Sequence, residues 1–438
     1  MTNNTIGLIN LGCAKNLVDS EIMLGILAKD GYKITLSEEE ADIVIVNTCS
    51  FIKEAEKESV KSIVALAEAG KKLIIAGCLA QKYKKELQEV VPEALAIVGT
   101  GNIDKISEIV KKLVNKQESN IYEVSDNPVY IQNEETERFQ ITMGSGSYIK
   151  IAEGCDYLCS YCIIPSLRGK YRSRTVESIV NEAKKLGKNG VSEIVLVAQD
   201  TTSYGKDLDG KPSLSLLLEK LNEVEEIGWI RIMYTFPSLV NDELINAIAR
   251  LDKVVKYIDI PLQHSHPEIL KLMNRPASDN SGLIKKLRDS IPDVAIRTAF
   301  ITGFPGEEDE HFEHLYNFIK ENRFDKLGIF EYSREKNSAS YGLKKQVPAK
   351  VKKARKKELM KLQQSISKEI NSSFIGKIIP VIVESLTSSG KIIGRSYRDA
   401  PEIDGLVYIT SNQAILPGDI IHVKITKADE YDLYGEFN

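Results

Sequence analysis

The chain has 438 residues, 42% of them hydrophobic, with 58 Lys plus Arg against 62 Asp plus Glu and a formal net charge of −4. That length accommodates about three domains with a sizeable core, and the near balance of charge excludes a general basic excess of the kind that holds proteins on phosphate backbones. Six cysteines behind an N-terminus with no basic-then-apolar leader predict free thiols in a reducing compartment, and apolar runs such as 73–80 are far shorter than the ~18 residues of a membrane span, so a soluble cytoplasmic protein is expected.

Residues 1–115 alternate strand-like segments at 5–11, 42–47, 72–76 and 94–98 with helix-like segments at 16–29, 51–69, 81–91 and 103–113. Short β-rich apolar runs between longer helical stretches predict a doubly wound parallel α/β domain. Cys13, Cys49 and Cys78 each follow one of the first three strands, in Leu11-Gly12-Cys13-Ala14, Asn47-Thr48-Cys49-Ser50 and Ala76-Gly77-Cys78-Leu79. Sites in open parallel sheets form outside the carboxyl ends of the strands. The three thiols are therefore expected to converge on one sheet edge as a three-thiolate cluster site, each beside a small neighbour that lets a bulky ligand approach. A single Cys at a strand end is often just a buried structural residue; repetition after three successive strands favours the site.

Residues 116–147 are polar, with Asn127-Pro128, Glu134-Glu135 and Gly144-Ser145-Gly146, and read as a linker. Alternation then returns, with strands at 148–152, 193–198, 229–234, 256–260, 295–301 and 326–332 and helices at 176–188, 213–225, 241–251, 282–290 and 308–322. Six βα repeats predict a partial (β/α)6 TIM-like barrel, whose functional residues sit on the loops after the strands.

The first of these loops carries Cys155, Cys159 and Cys162, on a segment opened by Gly154 and closed by Pro165. Short Cys spacings of this kind let one segment wrap a compact iron–sulfur centre. A structural zinc site would need a fourth ligand, and the segment offers no other Cys and no His, so three thiolates and one open coordination position are expected. Gln199-Asp200 ends the second strand, Pro261 to His264 the fourth, and Thr302-Gly303-Phe304-Pro305-Gly306-Glu307 the fifth. His264 and His266, with no carboxylate partner visible, read as ordinary loop or core residues rather than metal ligands. Residues 349–371 form a charged helix whose Lys-rich first half is expected to face solvent. In 374–438 the period changes to five short strands, at 377–384, 391–398, 405–410, 419–426 and 432–437, which predict a small antiparallel, oligonucleotide-binding-like barrel.

The Cys155/Cys159/Cys162 triad, with Tyr161 before its last cysteine, resembles the signature of radical S-adenosylmethionine (SAM) enzymes. That resemblance implies a 4Fe-4S cluster whose open iron chelates S-adenosyl-L-methionine and cleaves it to a 5′-deoxyadenosyl radical. It also implies cofactor contacts from Tyr161, Gln199, Gly303, Pro305 and Gly306. The two cysteine triplets with a terminal small barrel are similar to the methylthiotransferase family within that group, whose terminal module is the TRAM domain. The family implies an N-terminal domain at 1–115 with a second 4Fe-4S cluster on Cys13, Cys49 and Cys78, a linker at 116–147, a radical SAM domain at 148–371 and a TRAM domain at 374–438.

Two branches of the family compete, one modifying isopentenyl- or threonylcarbamoyl-adenosine in tRNA, the other the β-carbon of an aspartate in ribosomal protein uS12. Residues 376–438 hold six Lys/Arg against nine Asp/Glu, and an acidic barrel repels phosphates while attracting a basic ribosomal protein. Segments 394–405 and 162–169 also resemble the uS12 branch. A monomer is therefore expected to act on uS12, free or in the small subunit, with electrons from a flavodoxin or ferredoxin. A ribosome-associated iron–sulfur RNA-binding factor, the non-enzymatic alternative, calls for a basic barrel with stacking aromatics.

Overall fold

The computed structural model describes residues 4–437 except 51, 134, 142–144, 277 and 388–390. Phe51 in the expected second helix, Glu134 and Gly144 in the expected linker, and the Ser-Ser-Gly turn of the terminal barrel lie outside the described residues. The chain forms two compact units, one comprising Met1–Ile141, Ala152–Tyr157 and Cys162–Arg174, the other Thr142–Ile151, Leu158–Tyr161 and Thr175–Asn438. Among the described residues no helix is long and apolar enough to cross a membrane.

The first unit is built on β1 (Thr5–Asn10), α1 (Ala14–Lys29), β2 (Lys33–Thr35), β3 (Ile43–Thr48), α2 (Lys53–Glu68), β4 (Leu73–Gly77), α3 (Cys78–Tyr83), α4 (Lys85–Val90), β5 (Ala94–Val98), α5 (Ile106–Val114) and β6 (Ile121–Glu123). All six strands are parallel, in the order β2-β1-β3-β4-β5-β6. β3 and β4 are buried along their whole length, as expected of central strands covered on both faces. The helix expected at 81–91 is two short ones, divided at Lys84, whose φ of +51° breaks the ladder. The segment read as a linker is partly built into this unit: β6 extends the sheet beside β5, and Phe139 N donates to Glu21 O of α1 at 2.9 Å. The unit also holds β8 (Ala152–Glu153), α6 (Ile164–Arg168) and β9 (Arg172–Ser173), with β8 and β9 antiparallel; β7 precedes them in the chain as Gly146–Lys150 of the second unit.

In that second unit α7 (Val176–Lys188), β10 (Glu193–Val197), α8 (Leu214–Asn222), β11 (Trp229–Ile232), α9 (Asp242–Arg250), β12 (Tyr257–Asp259), α10 (Pro267–Leu272), α11 (Asn280–Ser290), β13 (Ala295–Thr302), α12 (Asp309–Asn322) and β14 (Lys326–Glu331) repeat the strand-helix alternation. The strands pair in parallel as β11-β10-β7 and β12-β13-β14. Only three residues of the fourth strand are regular, so the two halves meet through single bonds such as Thr235 N to Asp259 O at 2.9 Å. The expected six-strand partial barrel is present with this seam in it.

α13 (Ala349–Ser372) follows, and it is not wholly a solvated helix. Arg355, Leu359, Gln363, Ile366 and Asn371 recur at helical spacing on a buried face, and Arg355 donates to Glu307 at 2.6 Å and Asp309 at 2.7 Å. The five expected terminal strands are β15 (Ile378–Leu386), β16 (Ile392–Ser396), β17 (Val407–Ser411), β18 (Ile420–Ala428) and β19 (Leu433–Phe437), closed in the order β15-β16-β17-β19-β18. One pair departs from the antiparallel expectation: β17 and β19 run parallel, because β18 lies between them in sequence and two reversals restore the direction.

The segment after β16 plugs the amino-terminal ends of the partial barrel's strands. Glu193, at the start of β10 and fully buried, accepts from Arg231 at 2.8 Å and from Arg395. Arg398 reaches Asp325 at 2.6 Å, and Tyr257 OH reaches Asp404 at 2.8 Å. Arg395, Arg398 and Asp399, counted above as surface charge, are therefore interior joints, and without them four Lys/Arg stand against eight Asp/Glu over 376–438, a larger acidic surplus.

Candidate functional site

Cys13, Cys49 and Cys78 sit after the carboxyl ends of β1, β3 and β4, three adjacent strands at the point where the strand order reverses. Asn10 pairs with Asn47 and Thr48 with Gly77, so the loops carrying the cysteines leave the sheet at nearly the same level. Asn16 and Asn47 lock them together. Asn16 Nδ2 donates to Asn47 Oδ1 at 3.2 Å and to Thr48 O at 2.9 Å, while Asn47 Nδ2 donates to Asn16 O at 2.8 Å. Cys13 Sγ and Cys78 Sγ lie 3.5 and 3.8 Å from the same atom, Asn16 Oδ1. Cys49 is fixed by its backbone, whose N–H and carbonyl both bond Ser59 Oγ at 3.1 Å. Cys13 is exposed and the other two are buried.

The glycines beside Cys13 and Cys78 have a different cause from the one expected. A Cβ on Gly12 would lie 2.3 Å from Asn16 Cβ, and one on Gly77, at φ +92°, would lie 2.3 Å from Asn47 Oδ1. They make room for the asparagine lock.

Nothing in the local residue pattern announces Arg168 as part of this site, yet it ties the asparagine lock to two carboxylates. Its guanidinium is 2% exposed and donates to Asp19 at 2.6 Å, Glu153 at 3.2 Å and Asn16 Oδ1 at 2.9 Å, with Nη2 3.6 Å from Cys78 Sγ. Burial works against its charge, but the two carboxylates hold it firmly protonated. Burial pushes the Cys78 thiol up, and Arg168 opposes that push. The signal available beforehand was only its place in the 162–169 segment, which resembles the uS12 branch.

In the same unit, Cys155 follows β8. Its N–H donates to Gly169 O at 3.1 Å, and Ile164 N donates to Cys162 Sγ at 3.4 Å. Gly154 is required at φ +84°, since a Cβ there would lie 2.1 Å from Lys170 O.

Cys159 belongs to the 158–161 segment of the second unit. Ser160 anchors that segment, its N–H donating to Met273 O at 2.9 Å and its hydroxyl to Leu272 O at 2.7 Å. Arg275 Nη1 stands 4.0 Å from Cys159 Sγ, its guanidinium stacked 4.1 Å over Phe236. Tyr161 meets Phe304 edge to face at 6.5 Å, joining it to the Gly303–Gly306 loop after β13. That loop is stapled by buried Glu307, which accepts from Gly303 N at 2.9 Å, Thr302 Oγ1 at 3.1 Å and Arg355. Gly303 and Gly306 adopt φ of +73° and +90°, and a Cβ on Gly303 would meet the Lys352 stem at 2.3 Å. Pro305 is buried within the loop, whereas Gln199 lies half-buried at the end of β10.

His264 is fully buried with Nε2 3.4 Å from Glu307, and burial lowers its pKa. His266, Glu268 and His311 bring ligand atoms within 4.8 Å of one another. Both rings use Nδ1 to accept backbone N–H groups, from Glu268 and Glu308. A metal-bound imidazole normally donates through its other nitrogen, so this is a hydrogen-bonded set and not a coordination set.

Residues 5–99 match the model of the uncharacterized protein family UPF0004, residues 149–319 the radical SAM superfamily, and residues 375–437 the TRAM domain. Ribosomal protein uS12 methylthiotransferase RimO of Crocosphaera subtropica is 48% identical over 99% of this chain and 98% of its own. The protein of the same name from Gloeothece citriformis is 49% identical over the same shares. The chain belongs to the RimO family. Its members are radical SAM proteins, a group that uses a 4Fe-4S cluster and SAM. The fold is shared with the radical SAM methyltransferase TsrM of Kitasatospora setae, at a TM-score of 0.55 and 13% identity over 75% of each chain. It is shared also with the radical SAM enzyme OxsB, at a TM-score of 0.51 and 13% identity over 83% of this chain and 58% of that one.

Proposed function

We propose that this protein is a radical SAM methylthiotransferase that adds a methylthio group to the β-carbon of an aspartate in ribosomal protein uS12. The observation that carries this reading is full-length identity of 48–49% to proteins of that name, with both cysteine triplets present. Cys155, Cys159 and Cys162 would hold the radical-generating cluster, and Cys13, Cys49 and Cys78 an auxiliary one. Such clusters, when bound, supply reductive cleavage of SAM and a carrier for the transferred sulfur.

The donor sets suit them. Each triplet offers thiols alone, and around the auxiliary site Asn16, Asn47 and Arg168 fix the loops and counter the negative charge that thiolates bring. In the second unit Ser160 positions Cys159, while Tyr161 with the Gly303–Gly306 loop forms an aromatic and backbone surface suited to SAM, with Gln199 a further contact. Segments 1–115, 148–371 and 374–438 are read as the auxiliary-cluster, radical and TRAM domains, with 116–147 between them. The protein acts as a cytoplasmic monomer, with a flavodoxin or ferredoxin as electron donor.

The test is anaerobic. Reconstituted protein with SAM, reductant and sulfide is offered uS12 and unmodified tRNA in parallel, and both are read by mass spectrometry. The expected product is a methylthio group on a uS12 aspartate, lost to background in Cys155→Ala. Methylthiolated tRNA adenosine instead would overturn the substrate.

A further inference from the structure

We infer that Arg168 is a positioning residue that tunes the three-cysteine site on the sheet, by donating an N–H···S hydrogen bond to the Cys78 sulfur. The inference rests on the reading that Cys13, Cys49 and Cys78 hold an iron–sulfur cluster.

The geometry is specific. One arm of the guanidinium, Nη1, is occupied by Asp19 at 2.6 Å and Glu153 at 3.2 Å; the other, Nη2, faces Asn16 Oδ1 at 2.9 Å and Cys78 Sγ at 3.6 Å. Arginine's planar fork permits this division, and a lysine ammonium does not reproduce it. Asn16 cannot donate to the sulfurs, since both hydrogens of its amide are used by Asn47 Oδ1 and Thr48 O, and its Oδ1 is an acceptor. Arg168 is thus the strong donor at this sulfur, in a site closed by Ile163 and Leu167, which pack on Cys78.

Hydrogen bonds to ligating sulfurs and local charge set the reduction potential of such clusters. Reduction adds negative charge, which a fixed cation and donor stabilise, so Arg168 raises the potential. Arg168 also lies on α6, two residues of chain beyond Cys162 at its start, so the segment that carries one triplet's last cysteine delivers the donor to the other triplet.

The experiment uses the full chain with Cys155→Ala, Cys159→Ala and Cys162→Ala, which leaves a single cluster site. Iron and sulfide content is measured first. A protein that binds neither would overturn the cluster reading and this inference with it. With the cluster loaded, an EPR-monitored redox titration compares Arg168 with Arg168→Lys. A shift to lower potential at unchanged iron content is expected, and an unchanged potential would overturn the role of Arg168 while leaving the cluster reading intact. Should Arg168→Lys not load, pulsed EPR on the Arg168-containing protein grown with 15N-arginine decides. A 15N coupling to the reduced cluster supports the hydrogen bond, and its absence refutes it.

Discussion

Arg168 in the first unit and the pair Arg231 and Arg395 in the second are withdrawn from water to the same degree, and each group faces two carboxylates. Arg231 and Arg395 answer Glu193 and Glu384 charge for charge, their Nη1 groups go to the carbonyls of Tyr397 and Asp399, and Arg231 Nη2, which has no hydrogen-bond partner among the described residues, belongs to a guanidinium stacked 4.6 Å over the Tyr257 ring. That network is balanced in charge, and it lies at the amino ends of the strands, where a barrel fold keeps stability rather than chemistry. Arg168 faces Asp19 and Glu153 and turns its other arm to an amide oxygen and a sulfur. The two carboxylates keep the arginine in place, and the arm facing the sulfur is what can serve a ligand. The same parts make a rivet in one unit and a donor to a cysteine sulfur in the other.

The sharpest way to break the comparison is Glu193→Gln. It leaves Arg231 and Arg395 buried with one carboxylate fewer, and removing one partner of a buried ion pair costs roughly 3–5 kcal/mol. Urea unfolding should place that loss in the transition of the second unit, with the cysteine sites of the sheet unaffected. A loss below about 1 kcal/mol, the range of exposed pairs, would mean that Glu193 is not what balances the two guanidinium groups.

Asp19→Asn should do less. Glu153 still balances the guanidinium, so the expected loss is that of one charge-assisted hydrogen bond, about 1–3 kcal/mol. If Asp19→Asn proves as costly as Glu193→Gln, Glu153 does not hold the guanidinium by itself, and the distinction between the two networks fails.

How far these two places were readable in the chain follows from the range of the interactions. Cys155, Cys159 and Cys162 declare themselves by spacing over eight residues, and Cys13, Cys49 and Cys78 by their common position after strands. The strands themselves carry runs such as Leu73 to Ala76 that exclude water on both faces, so the sheet and the small barrel were legible. Arg168 was not, because its partners Asp19 and Asn16 lie 149 and 152 residues away. Arg395 and Arg398 were read as surface charge for the same reason: only the folded chain brings Glu193 and Asp325 to them. β2 and β6, three residues each, are too short to show a period, and the break at Lys84 is a backbone event with no residue-type signature.

The smallest expected effect separates two carboxylates of the plug, Glu193 and Asp404, by pH. Glu193 is pushed up by burial, but Arg395 and Arg231 outweigh that and hold it below the usual carboxylate range. Its folded pKa is depressed, so its contribution is present above the unfolded value near 4.3 and is lost as pH falls through the folded one. Asp404 goes the other way. Burial raises it more than Lys326 and Arg297 lower it, so the folded state holds its proton longer than the unfolded chain, and stability falls as pH rises from about 3.9 through its folded value. One group contributes at most about 1.4 kcal/mol per pH unit. Asp404→Asn keeps an oxygen for Tyr257 OH and Ala400 N, which donate at 2.8 and 2.9 Å. It should leave Tm nearly unchanged at low pH and remove the decline on its alkaline side, while Glu193→Gln should flatten only the acid limb. Thermal unfolding from pH 3 to 8 on the two variants reads both slopes. Identical profiles would mean that the carboxylates of the plug titrate as one group, and that its closure does not depend on Glu193 alone.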